Sequence, residues 1–324
     1  MEVDQLGESN RLFRKLIPHL KQLVLEDRSS STRKSYLGGF QRWCKWAQAQ
    51  KVSPLPADGC HLALFLCDIA QSSKSSNPLQ SVVYGVSWAH RKALLPDPTS
   101  HPLVEQICQS CKRVCYTPTK KKKAISIHSV GKVFETFGQL GTSLQNLQGV
   151  LIVVLGFFGF FRWSDLSLIE VEDIRVHSRY MSVFLKKRKN DQFYKGNTVY
   201  LSRMESSTFC PVALVERFIS MCDLSSGPLL RKIEIRGCKE SVSNKRLSYA
   251  SARKLVLCMF AEIGLNAKEY GLHSLRAGGA SHAARRGVSD RLIACHGGWK
   301  SYQSCNRYIR DNHKSLLSVS RKLL

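Results

Sequence analysis

The chain has 324 residues, enough for two domains or one large one, and its 43% apolar content can build a core in each. A disordered tail or a small disulfide-stapled module is thereby excluded. Lys and Arg number 49 against 24 Asp and Glu, and the formal charge of +25 calls for a polyanionic partner, either nucleic acid or an anionic membrane surface.

At the amino terminus, MEVDQLGESN is acidic and polar and has neither the basic start nor the apolar stretch of a secretory signal, so an intracellular protein is expected. Residues 1–28 read as an N-terminal extension. From Ser29 to Tyr116 the pattern is of helices separated by short breakers. Ser31 and Thr32 offer caps for a helix whose Tyr36, Phe40, Trp43 and Ala47 recur at three and four residues, with Pro54 and Pro56 ending it. A second helix is expected over residues 57–71. A third follows Asn77-Pro78 with Val82, Val83, Val86 and Trp88, and a fourth follows His101-Pro102 with Val104, Ile107 and Cys111. Residues 29–116 thus read as a small all-helical bundle. The 12 cysteines are scattered through apolar contexts (Cys44, Cys67, Cys222, Cys258) and read as reduced core thiols. Cys108, Cys111 and Cys115 fall on one helix face, and no second His or Cys pair stands at zinc-site spacing, which favours packing over metal.

Thr117-Pro118-Thr119 and the four lysines after it break the apolar periodicity, so residues 117–124 read as an exposed linker. Lys120, Lys121, Lys122 and Lys123 fit a solvated linker and a phosphate-tracking strap across DNA equally well, with a nuclear-import signal as a third reading. Residues 125–324 form the second domain. Its longest apolar run, Val150 to Phe161, is 12 residues. That is short of the ~20 that span a bilayer, so a buried helix is expected and nucleic acid remains as the polyanion. Three strands follow, over Glu172–His177, Tyr180–Leu185 and Asn197–Leu201, with an exposed basic hairpin, Lys186 to Gln192, between the last two. Lys187 and Arg188 in it are candidate DNA-backbone contacts. Helices resume at Pro211 and again from Tyr249. Consecutive strands among helices give a mainly α fold with a small antiparallel β-sheet, α+β and not doubly wound.

Several residues stand out chemically. Arg162 ends the apolar run, where a guanidinium must be paired or face a ligand, and Asp165 is a local partner. His273 and Arg276 are three apart at an expected helix start, an imidazole beside a fork-shaped cation, suited to proton handling and bidentate binding of phosphate oxygens. The small residues Ala277 to Ala280 allow close approach to a helix or backbone. Trp299, after Gly297-Gly298, can donate its indole N–H to a phosphate oxygen. Tyr308, flanked by Arg307 and Arg310, sits in a positive field that favours phenolate character. Taken singly, Trp299 and Tyr308 are equally ordinary amphipathic core residues. No Asp/Glu cluster of the two-metal kind and no phosphate-cradling glycine loop is seen, so neither metal nor small-molecule cofactor is expected.

The order of these residues resembles the tyrosine recombinase (phage integrase) family. Arg162, a hairpin lysine and His273-x-x-Arg276 are followed by Trp299 at 23 residues and Tyr308 nine further on. The tail is similar to the Cre-like branch, and the Gly-Trp-Lys-Ser segment to recombinases of eukaryotic DIRS-like and Crypton mobile elements. The resemblance implies a SAM-like core-binding bundle followed by a catalytic domain. It implies that Arg162 and Arg276 clamp the scissile phosphate and that Lys189 is the general acid, with Lys186 and Lys187 as competitors. His273 would assist proton transfer, Trp299 would bond the phosphate, and Tyr308 would be the nucleophile, in preference to Tyr302. His296, three residues before Trp299, could be mistaken for the family's second His. Strand exchange would pass through a 3′-phosphotyrosine without metal or ATP, on double-stranded DNA, in a homotetramer spanning two sites. The apolar pairs Leu316-Leu317 and Leu323-Leu324 would pack on their own domain or dock into a neighbouring protomer. The location would be the nucleus in a eukaryote and otherwise the cytoplasm. The alternatives are a domesticated, non-cutting DNA-binding descendant and a type IB topoisomerase.

Overall fold

The structure, a computed structural model, describes residues 10–115, 121–188, 196–204, 209–237, 239–310, 316, 317, 320, 321 and 323. The chain divides into two compact units, Met1–Lys120 and Lys121–Leu324.

In the first unit, α1 (Arg11–Leu25) lies inside the stretch read as an extension, and the Asn10 side chain caps it by accepting the Leu12 N–H at 2.8 Å. It carries Leu12, Phe13, Leu16, Leu20 and Leu23 exposed. The bundle proper comprises α2 (Ser30–Ala49), α3 (Gly59–Ser72), α4 (Asn77–Lys92) and α5 (Pro102–Val114). Ser29, and not Ser31 or Thr32, caps α2: its hydroxyl accepts the Thr32 N–H at 3.4 Å. Helices α2 and α4 cross with their backbones in contact, since a Cβ on Gly39 would stand 2.1 Å from the Ser81 carbonyl oxygen. Trp43, Leu62, Leu66, Leu79, Val82 and Val86 fill the core, each worth roughly 1.5–3 kcal/mol of burial. The Trp43 indole donates to the Pro54 carbonyl at 2.9 Å, so its polar edge is satisfied. The core-thiol reading holds for Cys111 and Cys222, whose thiol is pushed up to about 11 by burial, but Cys67 and Cys258 are exposed. Both sit on the solvent side of helices whose other faces are packed, which apolar neighbours in sequence do not reveal.

The second unit is organised around α7 (Leu144–Phe158), preceded by α6 (Ile127–Phe137). Every residue of α7 from Leu147 to Phe157 is buried, as a helix apolar all round must be. The expected run to Phe161 is cut short because Phe160 turns into the left-handed region, φ +48°. The short α8 (Trp163–Leu166) follows. Strands β1 (Ile174–Val176), β2 (Tyr180–Leu185) and β3 (Asn197–Ser202) form the expected antiparallel sheet in the order β1-β2-β3, with Val183 opposite Val199 and Met181 opposite Leu201. After α9 (Pro211–Met221) comes a second antiparallel pair, β4 (Arg231–Arg236) and β5 (Lys239–Arg246). The signal for this pair in the sequence is short: Ile233 and Ile235 alternate with charged residues in β4, while Val242 is the one apolar residue of β5. The pair supports the central helix, for the Glu240 carboxylate accepts the Leu144 and Gln145 N–H groups at 2.6 and 3.2 Å, placing negative charge at the amino end of α7.

Next in the unit come the helices α10 (Tyr249–Glu262), α11 (His273–Arg285), α12 (Asp290–Gly297) and α13 (Tyr302–Asn306). The small residues of α11 allow the close approach their size suggests. A Cβ on Gly279 would lie 2.0 Å from the Phe157 carbonyl oxygen, and one on Gly278 2.3 Å from that of Ile125. The lysine segment runs along this unit. Lys120 is outside the described residues, whereas Lys121, Lys122 and Lys123 are exposed and Lys123 pairs with Glu269 at 2.7 Å. Two residues on, Ile125 N–H donates to the Ser274 carbonyl at 3.1 Å, which fixes the start of α11. Among the described residues no helix is long and apolar enough to cross a membrane.

Candidate active site

The turn between α7 and α8 sets the floor of the site. Phe160 holds a left-handed backbone that costs a non-glycine residue roughly 1–2 kcal/mol. Packing opposes that cost, for its ring meets His296 edge-on at 4.7 Å and Trp299 at 6.3 Å. This backbone turns the Phe160 carbonyl towards α11, where it accepts from Arg276 Nη1. Arg276 is fully buried and also donates from Nη2 to the Gly297 carbonyl at 2.8 Å. Two main-chain carbonyls, one from the end of α7 and one from the end of α12, thus orient one guanidinium.

Aromatic rings cover it. The Arg276 Cζ stands 3.8 Å from the centroid of the Trp299 ring and 5.1 Å from that of Tyr308, and the two rings are 5.3 Å apart. Cation–π contact with Trp stabilises a desolvated guanidinium. Tyr308 is held from behind through Ser281 of α11, whose hydroxyl donates to the Tyr308 carbonyl at 3.3 Å and accepts the Arg310 N–H at 2.8 Å. The interval from Arg276 to Trp299 is spanned by α12, and Gly298 in the left-handed region (φ +64°) reverses the chain after it.

Arg162 caps α8 and is 8% exposed. The local pairing read from sequence is present but loose: Arg162 Nη1 lies 3.9 Å from Asp165 Oδ2, which also accepts the Arg162 backbone N–H at 3.1 Å. Among the described residues Arg162 Nη1, Arg276 Nε and Trp299 Nε1 are buried donors with no acceptor. Such groups cost about 1–3 kcal/mol each when left unpaired. Burial first, then the charges of Arg162 and Arg188, push Arg276 down to about 9, which leaves it charged at neutral pH. The cluster is built to receive an anion.

The other expected residues fall as follows. His273 is the first residue of α11, exposed, one helical turn before Arg276. Lys189 lies outside the described residues. Lys186 is tied to Glu170 and, at 3.1 Å, to Asp173, while Lys187 is exposed. Arg188 corrects the picture of an exposed basic hairpin: it is 5% exposed and its Nε lies 3.8 Å from Asp165 Oδ2. A run of like charges reads as solvated, and only the fold shows that one member turns inward. His296 is occupied elsewhere, donating to the Phe158 carbonyl at 2.7 Å, and burial holds its imidazole below the usual range. Tyr302 is exposed on α13, away from these contacts. Sequence reasoning missed the carbonyls of Phe160 and Gly297; the paired glycine and aromatic residues around each were the only signal. Of the C-terminal stretch, Leu316, Leu317 and Leu323 are exposed, and Leu324 is outside the described residues.

A model of the phage integrase family matches residues 151–315. The chain is 24% identical over 296 residues to an integrase/recombinase of Selenomonas ruminantium described as a XerD homologue, covering 90% of this chain and 85% of that one. It is 20% identical to the Cre recombinase of Escherichia phage P1, covering 87% and 84%. The Tn1549 transposon integrase in complex with transposon right-end DNA shares the fold, with a TM-score of 0.57 at 12% identity over 94% of this chain and 98% of that one.

Proposed function

The chain belongs to the phage integrase family and is a site-specific tyrosine recombinase, and we propose that its buried arginine cluster receives the scissile phosphate while Tyr308 attacks it. The observation that carries this reading is the stacking of Trp299 and Tyr308 on Arg276, with buried donors of Arg162, Arg276 and Trp299 left unpaired. Tyr308 Oη forms a bond to phosphorus as the bond to the 5′-oxygen breaks, giving a 3′-phosphotyrosine. His273 takes the phenolic proton, and Lys189 supplies a proton to the departing 5′-oxygen. A 5′-hydroxyl of another strand then reverses the step. One phosphodiester replaces another, so no ATP is consumed. Arg162 and Arg276 neutralise the nonbridging oxygens, as a divalent ion does in other phosphoryl-transfer sites.

The charge of +25 supplies nonspecific attraction to the DNA backbone, to which Lys121, Lys122, Lys123 and Lys187 contribute. A SAM-like bundle over 29–116, a linker over 117–124 and a catalytic domain over 125–324 would bind DNA, and four copies would join two sites. A non-cutting descendant is not favoured, since it has no need to keep a nucleophile packed on a buried guanidinium. The test is incubation with a nicked duplex, carrying a site selected from a random pool by the protein itself, in EDTA and without ATP. A denaturing gel should then show protein linked to DNA. An adduct that forms only when a divalent ion is restored would overturn the reading.

A further inference from the structure

We propose that Arg188 is a third guanidinium for the scissile phosphate, contacting a nonbridging oxygen together with Arg162 and Arg276; this rests on the strand-exchange reading above. Arg188 follows β2 by three residues and turns inward, where it is 5% exposed. Among the described residues none of its three side-chain nitrogens has a hydrogen-bond acceptor. Its charge partner is Asp165, at 3.8 Å from Nε, beyond hydrogen-bond reach, and Arg162 approaches the same carboxylate oxygen at 3.9 Å. The other end of the guanidinium lies against Gly298, where a Cβ would stand 1.9 Å from Nη1. Gly298 adjoins Gly297, whose carbonyl binds Arg276, and precedes Trp299.

Three guanidiniums and one carboxylate therefore share one buried space. The excess positive charge is felt within it: burial and Arg162 push Arg188 down, and Arg188 in turn contributes to the lowering of Arg276. Burying an uncompensated cation with its donors idle is costly unless an anion completes the site. Arg276 has two carbonyls, and of the Arg162 guanidinium only Nη1 is a buried donor without an acceptor, whereas all three nitrogens of Arg188 are, so Arg188 has the most buried donors left unpaired. A planar fork with free N–H groups matches a phosphate bidentately. Glycine at 298 leaves the room the fork occupies.

The test compares wild type, Arg188→Met and Arg188→Lys on the selected nicked duplex, in two forms: an ordinary scissile phosphate and a methylphosphonate, which carries no charge there. On phosphate, Arg188→Met should cleave at least about tenfold more slowly in a single turnover, with binding by gel shift changed little. Arg188→Lys should recover part of the rate. On the methylphosphonate the deficit of Arg188→Met should largely disappear, since no charge is left to neutralise. An unchanged rate on phosphate, or an equal deficit on both substrates, would overturn the assignment and leave Arg188 a counter-ion of Asp165. Absence of any adduct with wild type would instead count against strand exchange itself.

Discussion

Tyr308→Phe is expected to abolish the covalent protein–DNA adduct, by roughly four orders of magnitude or more, while Tyr302→Phe leaves it near the wild-type level. The substitution keeps the ring that packs at 5.3 Å on Trp299 and at 5.1 Å over Arg276, and removes one oxygen atom. Folding and DNA binding should therefore persist, which separates loss of the nucleophile from loss of the site. Tyr302 is 55% exposed at the start of α13 and touches none of the buried cations. Single-turnover assays on the nicked duplex, with gel shifts alongside, check both halves. Retention of the adduct by Tyr308→Phe would move the nucleophile elsewhere.

Arg276→Ala should slow cleavage by about 10²–10³, the usual consequence of removing one preorganised donor from a developing charge. Binding should fall far less, because it is spread over many backbone phosphates and one contact is a small share of the total. Arg276→Lys should not restore the rate. An ammonium is a point charge and cannot reach the carbonyls of Phe160 and Gly297 while also presenting a fork to phosphate. The alanine variant leaves those two buried carbonyls unpaired, so its unfolding midpoint belongs in the comparison. If cleavage and binding fall equally at an unchanged midpoint, Arg276 acts in docking and not in the chemical step.

Much of this was legible in the sequence where a single rule dominates. The apolar run of α7 gives a helix buried on all sides, and the strand character of residues 180–185 and 197–201 gives β2 and β3. The glycines after Arg276 announce a helix pressed against other backbone. What escaped is what tertiary contact decides. The β4–β5 pair is mostly charged and exposed, and its one-sided apolar pattern is confined to Ile233 and Ile235 of β4 with Val242 alone in β5. Helix α1 carries Leu12, Leu16, Leu20 and Leu23 at three- and four-residue spacing behind Asn10, but it follows a polar opening and buries none of its residues, so that signal was passed over. Arg188 sits within a basic run, and its burial depends on Asp165 and Gly298, 23 residues before and 110 after it in the chain. The left-handed turn at Phe160 is likewise set by the pocket between His296 and Trp299.

The most direct test is to digest the denatured protein–DNA adduct with trypsin and nuclease and locate the nucleotide by mass spectrometry. A 3′-nucleotide carried on the phenolic oxygen of Tyr308 is the expected result. A nucleotide on Tyr302, or on any residue outside the Arg276–Trp299–Tyr308 cluster, would contradict the account.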